Sequence, residues 1–281
     1  MRWPGYAPGH RVKCHRSGRA PVRLVPTDTT TGWGRTFAPD PYARLRLICF
    51  PYAGAGASIY RDWQLRPQLS TEVWSVQLPG RENRRQEPPV RRLDELLPQL
   101  HAGIAGLLDR PFAFFGHSMG ALIAFELTRF LRRLGGPQPV HLFLSGHRSP
   151  ERPPTRGVVS SLPDDAFLAR LSEMAGSSPS ALRDQELLLL LAPITRADFE
   201  LCEQYAFRPE PSLDIDISCF GAVDDSEVEL ADVACWEAHT TRRFRLRSCA
   251  GGHLFLRDQR TEMLDQITGD LAISSASRAF G

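Results

Sequence analysis

Short apolar runs rich in β-forming residues alternate with amphipathic helical segments from residue 44 onward. The β-rich runs lie at 44–50, 73–78, 112–115, 140–146, 213–220 and 244–249. Short apolar runs bounded by turn signals are typical of strands that are buried on both faces. Helices placed between such strands cover both faces of a mostly parallel sheet. The sequence therefore predicts an α/β protein with one central sheet.

The alternation is interrupted once, by about 65 residues without a convincing strand between the fourth and fifth runs. We expect a helical insertion there, at about 149–210. Pro163 and Pro193 are each predicted to be the first residue of a helix, because proline suits that position and acidic residues follow both. An insertion after a strand, on the carboxyl edge of the sheet, is placed to act as a lid. An extra packing layer is the alternative.

The ends of the chain are predicted to lie outside the folded unit. Residues 1–40 are rich in Pro, Gly, Thr and Arg and have no apolar periodicity, so we interpret them as a disordered extension. The domain is expected at 41–275, and residues 276–281 form a tail. The N-terminus lacks the continuous apolar core of a secretory signal, which favours a cytoplasmic protein.

Charge and composition exclude several function classes. The net charge is +2, but six of the 34 basic residues lie in residues 1–24, which leaves 28 basic against 32 acidic residues in the remainder. That balance predicts no nucleic-acid partner. No apolar stretch approaches the roughly 20 residues that cross a bilayer, so no membrane association is expected. The six scattered cysteines form no metal-binding spacing, and we predict neither a metal nor a cofactor.

One turn between a buried strand and a helix carries a hydroxyl group. Residues 112–120 read FAFFGHSMG, and a helical segment follows. G-x-S-x-G in this context is typical of the nucleophile elbow, a strained turn that lifts the serine clear of the sheet. Ser118 is thus the predicted nucleophile. The N–H of Met119, at the helix N-terminus, is placed to donate to a developing oxyanion.

A serine nucleophile needs a histidine base, and His253 is the best placed of the eight histidines. It follows a β-rich run and two glycines, so it is expected on a loop at the carboxyl end of a strand, where open α/β sheets meet their ligands. The acid is expected at the end of the preceding strand. Asp224 and Asp225 both lie there, and the residues alone do not separate them. The order Ser, Asp, His is that of α/β-hydrolases.

A second oxyanion donor is expected from the glycine-rich loop after the first core strand, which reads CFPYAGAGASIY at 49–60. Its glycines allow the backbone to approach a substrate closely. The loop lacks the rest of the G-x-G-x-x-G pattern, so a dinucleotide site is not indicated.

The segments RLICFPYAGAG, VQLPGRENRRQEP, FAFFGHSMGALIAFELTR and CAGGHLFLRDQ together resemble the type II thioesterases, the free-standing editing hydrolases of polyketide and non-ribosomal peptide synthases. The resemblance runs from about Gly32 to Leu271. It implies an α/β-hydrolase fold and release of acyl groups from the phosphopantetheine thioester of acyl or peptidyl carrier proteins. It also implies a monomer.

The resemblance carries residue roles as well. It implies Ser118 as nucleophile, His253 as base, and the N–H groups of Ala53 and Met119 as the oxyanion hole. Alignment on Trp236 and the GGH motif favours Asp225 over Asp224 as the acid.

One further segment carries the resemblance. The Pro79-Gly80-Arg81 segment belongs to it, and its arginine is interpreted as part of a solvated turn or as a phosphate contact. Two other functions stay open. A general carboxylesterase or lipase would share the triad but act on free esters. A carrier-protein binder without catalytic activity would not require serine, aspartate and histidine together.

Overall fold

Strands and helices alternate along the folded chain as the sequence predicts. The computed structural model describes residues 29–30, 32–65, 70–155, 157–175 and 185–279. The strands of this part of the chain are β1 (Thr29–Thr30), β2 (Gly34–Thr36), β3 (Leu45–Phe50), β4 (Thr71–Val76), β5 (Phe112–His117), β6 (His141–Ser145), β7 (Asp216–Ala222) and β8 (Phe244–Cys249). All six predicted core runs are strands, with ends that differ by up to three residues.

The eight strands form one sheet in the order β1-β2-β4-β3-β5-β6-β7-β8. Strands β3 to β8 pair in parallel, whereas β1 and β2 add an antiparallel edge next to β4. The carboxyl ends of β3, β5, β7 and β8 therefore lie along the same edge of the sheet. Every predicted site residue follows one of these four ends.

Six α-helices are described: α1 (Leu93–Ile104), α2 (Met119–Arg133), α3 (Asp164–Ala175), α4 (Gln185–Glu203), α5 (Leu230–Ala234) and α6 (Arg260–Ala279). Side chains of α1 and α2 pack in one core cluster on one face of the sheet, and side chains of α6 pack in a second cluster on the other. Strand β5 feeds both clusters by alternation, since Phe112 and Phe114 lie in the first and Ala113 and Phe115 in the second. The expected two-sided cover is confirmed.

The prediction that residues 1–40 form a disordered extension is wrong for the described part of that range. Strand β2 pairs with β4 through Gly34 and Arg35, and Thr36 is only 1% exposed. Trp33 packs against the backbone of α1, where a Cβ added to Gly103 would lie 2.1 Å from its ring. Two very short strands give no apolar periodicity, which is why the sequence did not indicate them. Residues 1–28 lie outside the described residues.

The helical insertion is present between β6 and β7, but its helices differ from the prediction. Helix α3 begins directly after Pro163. Pro193 does not begin a helix; it lies inside α4, which continues to Glu203. Helix α6 reaches Ala279, four residues past the predicted domain end at 275. Among the described helices, none is long and apolar enough to cross a membrane.

Candidate active site

The turn after β5 places Ser118 in a backbone conformation that side chains rarely adopt, with φ 53° and ψ −120°. Both flanking glycines are required by close backbone contacts. A Cβ on Gly116 would lie 2.0 Å from the carbonyl oxygen of Gly120, and one on Gly120 would lie 2.1 Å from that of Phe50. The turn is the strained elbow predicted from G-x-S-x-G.

His253 lies on the loop after β8, where Gly251 has φ +100°. Its Nε2 is 3.0 Å from Ser118 Oγ. The imidazole is buried, with 6% of the residue exposed. The structure thus brings the two residues into hydrogen-bond contact although they are 135 positions apart.

Asp225 lies on the loop after β7 and contacts the other ring nitrogen of His253. Its Oδ2 is 2.9 Å and its Oδ1 3.1 Å from Nδ1. The Oδ1 atom also accepts hydrogen bonds from the N–H groups of Glu227 and Val228, which hold the carboxylate in place. Asp224 is exposed, and it contacts the His253 loop through its backbone, whose N–H donates to the carbonyl of Gly251. Of the two candidate acids, the structure therefore brings Asp225 to the histidine.

His117, which precedes the serine, is hydrogen-bonded to the backbone of the His253 loop. Its Nε2 donates to the backbone carbonyl of His253 at 2.8 Å, so its Nδ1 accepts from the Ser145 hydroxyl at 2.9 Å. Burial, followed by repulsion from His253, holds the pKa of His117 well below its usual value, so the ring is neutral. Gly146, with φ +56°, leaves room for this ring. The sequence gave no signal for this contact, because His117 and His253 are 136 positions apart.

The two predicted oxyanion donors lie beside the elbow. Met119 is the first residue of α2, so its N–H is one of the four amides that have no acceptor within the helix. Ala53 lies in the loop after β3. The first turn of α2 packs closely against the start of this loop, because Gly120 contacts the carbonyls of Phe50 and Pro51. The N–H groups of a helix N-terminus suit a developing negative charge.

The interpretation of Arg81 as a solvated or phosphate-contacting residue is wrong. Arg81 is 3% exposed and forms a two-point ion pair with Asp198 of α4, with N–O distances of 2.7 and 2.8 Å. Sequence reasoning missed Asp198 because its partner is 117 residues away.

A further histidine near the site has no part in the triad. His147, which follows β6, is buried, and its Nδ1 bonds to the carbonyl of Arg148. Burial lowers the pKa of His147 to about 3.

Among the described residues, no group of three or more His, Cys, Asp or Glu side chains could hold a metal ion.

A mostly parallel sheet covered on both faces, with a serine elbow after the central strand β5, defines the α/β-hydrolase fold. A family model described as the thioesterase domain matches residues 45–271. The chain belongs to this thioesterase family and is a thioester-hydrolysing enzyme.

Among curated relatives, the gramicidin S biosynthesis protein GrsT of Aneurinibacillus migulanus is 38% identical over 84% of this chain and 92% of its own length. The thioesterase PikA5 of Streptomyces venezuelae is 37% identical over 86% of each chain. Among solved structures, the type II thioesterase BorB from the borrelidin biosynthetic cluster is 34% identical with a TM-score of 0.79, covering 86% of this chain and 99% of its own. The resemblance to type II thioesterases that the sequence motifs indicated is confirmed.

Proposed function

We propose that the enzyme releases acyl groups from the phosphopantetheine thioester of carrier proteins, with Ser118, His253 and Asp225 as its catalytic triad. The observation that carries the proposal is the continuous hydrogen-bond chain from the carboxylate through both ring nitrogens to the serine hydroxyl. A serine hydroxyl is a weak nucleophile until a base removes its proton, and this chain supplies that base.

In the first half of the proposed reaction, Ser118 Oγ attacks the thioester carbonyl carbon while its proton passes to His253 Nε2. The carbonyl oxygen becomes an oxyanion, which accepts hydrogen bonds from the N–H groups of Ala53 and Met119. Asp225 holds the proton of Nδ1 and stabilises the imidazolium that forms. The C–S bond then breaks, and the imidazolium returns its proton to the leaving sulfur. The products are a free thiol and an acyl ester of Ser118.

In the second half, His253 removes a proton from a water molecule, whose oxygen attacks the acyl ester. The second tetrahedral oxyanion occupies the same pair of N–H groups. When it collapses, the Ser118 oxygen leaves and takes the proton back from the imidazolium. The balance is one thioester and one water converted into one carboxylic acid and one thiol.

Carrier-bound thioesters are the proposed substrates because relatives belong to biosynthetic pathways, among them those of gramicidin S and borrelidin. Solved neighbours include a type II thioesterase from the yersiniabactin pathway of non-ribosomal peptide and polyketide biosynthesis, which is 27% identical with a TM-score of 0.75. Intermediates of such pathways are held on carrier proteins. An editing role would require tolerance of several short acyl groups, and weak, transient docking of the carrier suits that role.

We further propose that the helical insertion shapes the approach of the acyl chain. Its α4 contacts the loop after β3 through Thr195 and Asp198. Toward the other end of the same helix, Leu189 and Leu190 are 52% and 72% exposed. These apolar side chains on the insertion are suited to contact with an acyl chain or its carrier.

The experiment that tests the proposed function compares three substrates with one acyl group: the acyl-carrier protein, the acyl-pantetheine thioester and a simple ester. We expect the highest kcat/KM for the carrier-bound thioester and the lowest for the ester. The Ser118→Ala enzyme is the control for each rate. A higher kcat/KM for the ester, with no advantage from the carrier, would establish the carboxylesterase alternative.

A further inference from the structure

A tight turn carries the proposed oxyanion donor Ala53. The N–H of Ala55 bonds to the carbonyl of Tyr52 at 3.0 Å, which closes a four-residue turn. Gly54, the third residue, has φ +78°, the value that a type II turn requires at that position. The carbonyl of Tyr52 and the N–H of Ala53 belong to one planar peptide and point in opposite directions. Whatever fixes this turn therefore fixes the direction of the Ala53 N–H.

Asp198 of α4 contacts the middle of the turn. Its Oδ2 accepts a hydrogen bond from the Gly54 N–H at 2.7 Å. The residue is only 1% exposed, so this bond is shielded from water. The same helix lies against the turn through Thr195, whose Oγ1 would be 2.4 Å from a Cβ on Gly54. The glycine is thus required both by its φ and by the approach of the helix.

Arg81 binds both Asp198 and the last residue of the turn, Ala55. Its guanidinium donates to both oxygens of Asp198, and its Nη1 also donates to the carbonyl of Ala55 at 3.1 Å. The carboxylate and the guanidinium pair with each other, so neither is left buried without a partner of opposite charge. One ion pair therefore holds both the Gly54 N–H and the Ala55 carbonyl.

We infer that Asp198, oriented by Arg81, is a positioning residue for hydrolysis: it holds the turn that aims the Ala53 N–H at the oxyanion. The helical insertion thereby takes part in catalysis through the backbone of the loop after β3. This inference rests on the proposed oxyanion role of Ala53. It adds a specific residue of the insertion that touches neither the substrate nor the triad.

The first test is Asp198→Asn, assayed with a short acyl-pantetheine thioester so that carrier docking does not contribute. Outright removal of an oxyanion donor costs about 10²–10³-fold in kcat, so a loosened donor is expected to cost about 10–100-fold. We expect KM to stay within about threefold, because only transition-state stabilisation is lost. Affinity for a trifluoromethyl ketone, which forms an oxyanion on Ser118, should fall by the same factor as kcat.

Thr195→Val is the matched control. Thr195 packs against the same glycine, but its hydroxyl donates to the Leu191 carbonyl and not to the turn. Valine keeps its shape, so kcat and ketone affinity should match the wild type. The pH dependence of kcat/KM should be unchanged in both variants, because neither touches His253 or Asp225.

A double variant separates positioning from stability. Replacing a buried ion pair by apolar residues of similar size is often neutral for stability. Arg81→Met combined with Asp198→Leu should therefore recover the melting temperature that Asp198→Asn loses, yet give a low kcat, because leucine offers the Gly54 N–H no acceptor. Recovery of kcat together with the melting temperature would overturn the inference, as would wild-type kcat in Asp198→Asn.

Failure of the proposed function would look different. A wild-type enzyme that hydrolyses no thioester, or that a fluorophosphonate probe does not label at Ser118, would refute the function itself. An active, labelled wild type combined with an unaffected Asp198→Asn refutes only the positioning role.

Discussion

Among the residues that the structure describes, two clusters of serine, histidine and aspartate can be compared, and the order of contact in one of them suits catalysis. The elbow cluster is Ser118, His253 and Asp225, at the carboxyl edge of the sheet. The buried cluster is His141, Ser218 and Asp270, between the sheet and α6. In the buried cluster, His141 Nε2 is 2.9 Å from Ser218 Oγ, and that hydroxyl donates to Asp270 Oδ2 at 2.6 Å. The distances in the two clusters are nearly the same.

The order of contact differs between the clusters. In the elbow cluster the histidine is central, so it can take the serine proton while the aspartate stabilises the resulting charge. In the buried cluster the serine is central, and its hydroxyl donates a hydrogen bond directly to the carboxylate of Asp270. Ser218 lies within β7, fully buried and paired with strands on both sides. It has neither a strained turn nor a neighbouring helix N-terminus.

The buried cluster joins α6 to the sheet. Asp270 of α6 accepts hydrogen bonds from Ser218 and Arg247, and Ser274 one turn further bonds to His141. Buried polar groups that are satisfied in this way specify how two elements pack. The two clusters contain the same residue types, so residue type alone does not distinguish Ser118 from Ser218. They differ in the backbone strain of the serine, in its exposure and in the group that accepts its hydrogen bond.

The largest expected effect separates the two serines. Ser118→Ala should reduce kcat by about 10⁴-fold or more without lowering the melting temperature, because the hydroxyl is the proposed nucleophile and alanine removes a single oxygen atom. Ser218→Ala should keep kcat within about threefold and lower the melting temperature, because Asp270 and His141 lose a partner. Steady-state hydrolysis and thermal unfolding of both variants measure this. A fluorophosphonate probe that labels any serine other than Ser118 would contradict the assignment.

The next largest effect separates the aspartates. Asp225→Asn should lower kcat by about 10⁴-fold, as in the serine proteases, because the amide leaves the imidazole in the wrong tautomer. Asp224→Asn is the matched control and should change kcat by less than about threefold, since its carboxylate is exposed. Rates of acyl-pantetheine hydrolysis decide between them. The reverse pattern would move the acid to Asp224.

Asp270→Asn should affect stability and not catalysis. The side chain is 3% exposed and faces Arg245 and Arg247, at N–O distances of 3.3 and 2.7 Å. Breaking a buried ion pair costs about 3–5 kcal/mol, but both arginines are partly exposed, so we expect the free energy of unfolding to fall by about 2–3 kcal/mol. Denaturant unfolding measures this. A loss of kcat in the folded variant would show that the two clusters are coupled.

The buried cluster should also make stability depend on pH. Burial lowers the pKa of His141 to about 4, below its usual value of 6.5. Between these values the unfolded chain binds more protons, so the free energy of unfolding falls as the pH falls through that window. His141→Gln should flatten this dependence by up to about 1.4 kcal/mol per pH unit. Unfolding curves at pH 7, 6 and 5 test it, and equal slopes for both proteins would contradict it.

Much of this comparison could be predicted from the sequence, but only where a local pattern carried it. G-x-S-x-G between a strand and a helix predicts Ser118, and two glycines after a strand predict the loop of His253. The contact of His117 with the His253 carbonyl has no local signal. Neither has the ion pair of Arg81 with Asp198, because the fold alone brings such distant positions together.

The positions of strands and helices were also predicted where a local pattern indicated them, and missed where distant contacts decide. Apolar runs predicted all six core strands. Pro193 was predicted to begin a helix because proline suits the first helical position and acidic residues follow it. Helix α4 nevertheless continues through it, since its second half is held by tertiary contacts: Ala197 and Asp198 are almost fully buried, and Leu201 packs in the core. Tertiary packing overrides a local stop signal here, and the sequence alone does not contain that packing.

The smallest expected effect is that of removing residues 1–28. All members of both clusters lie beyond residue 117, and residues 1–28 have too little apolar periodicity to predict a packed element. A chain that begins at Thr29 should therefore keep the wild-type kcat, with a melting temperature within about 1 °C. Steady-state hydrolysis and calorimetry measure both.

A second truncation makes this small effect informative. A chain that begins at Phe37 also loses β1, β2 and Trp33, whose carbonyl accepts from the Gln77 N–H at 3.0 Å and whose ring lies 4.0 Å from the Arg84 guanidinium. Exposing the edge of β4 in this way should cost 1–2 kcal/mol, roughly 2–8 °C for a domain of this size. The difference between the two truncations therefore locates the start of the folded unit. If the chain from Thr29 is already destabilised to the same extent, then residues 1–28 contribute to the fold and the boundary lies before Thr29.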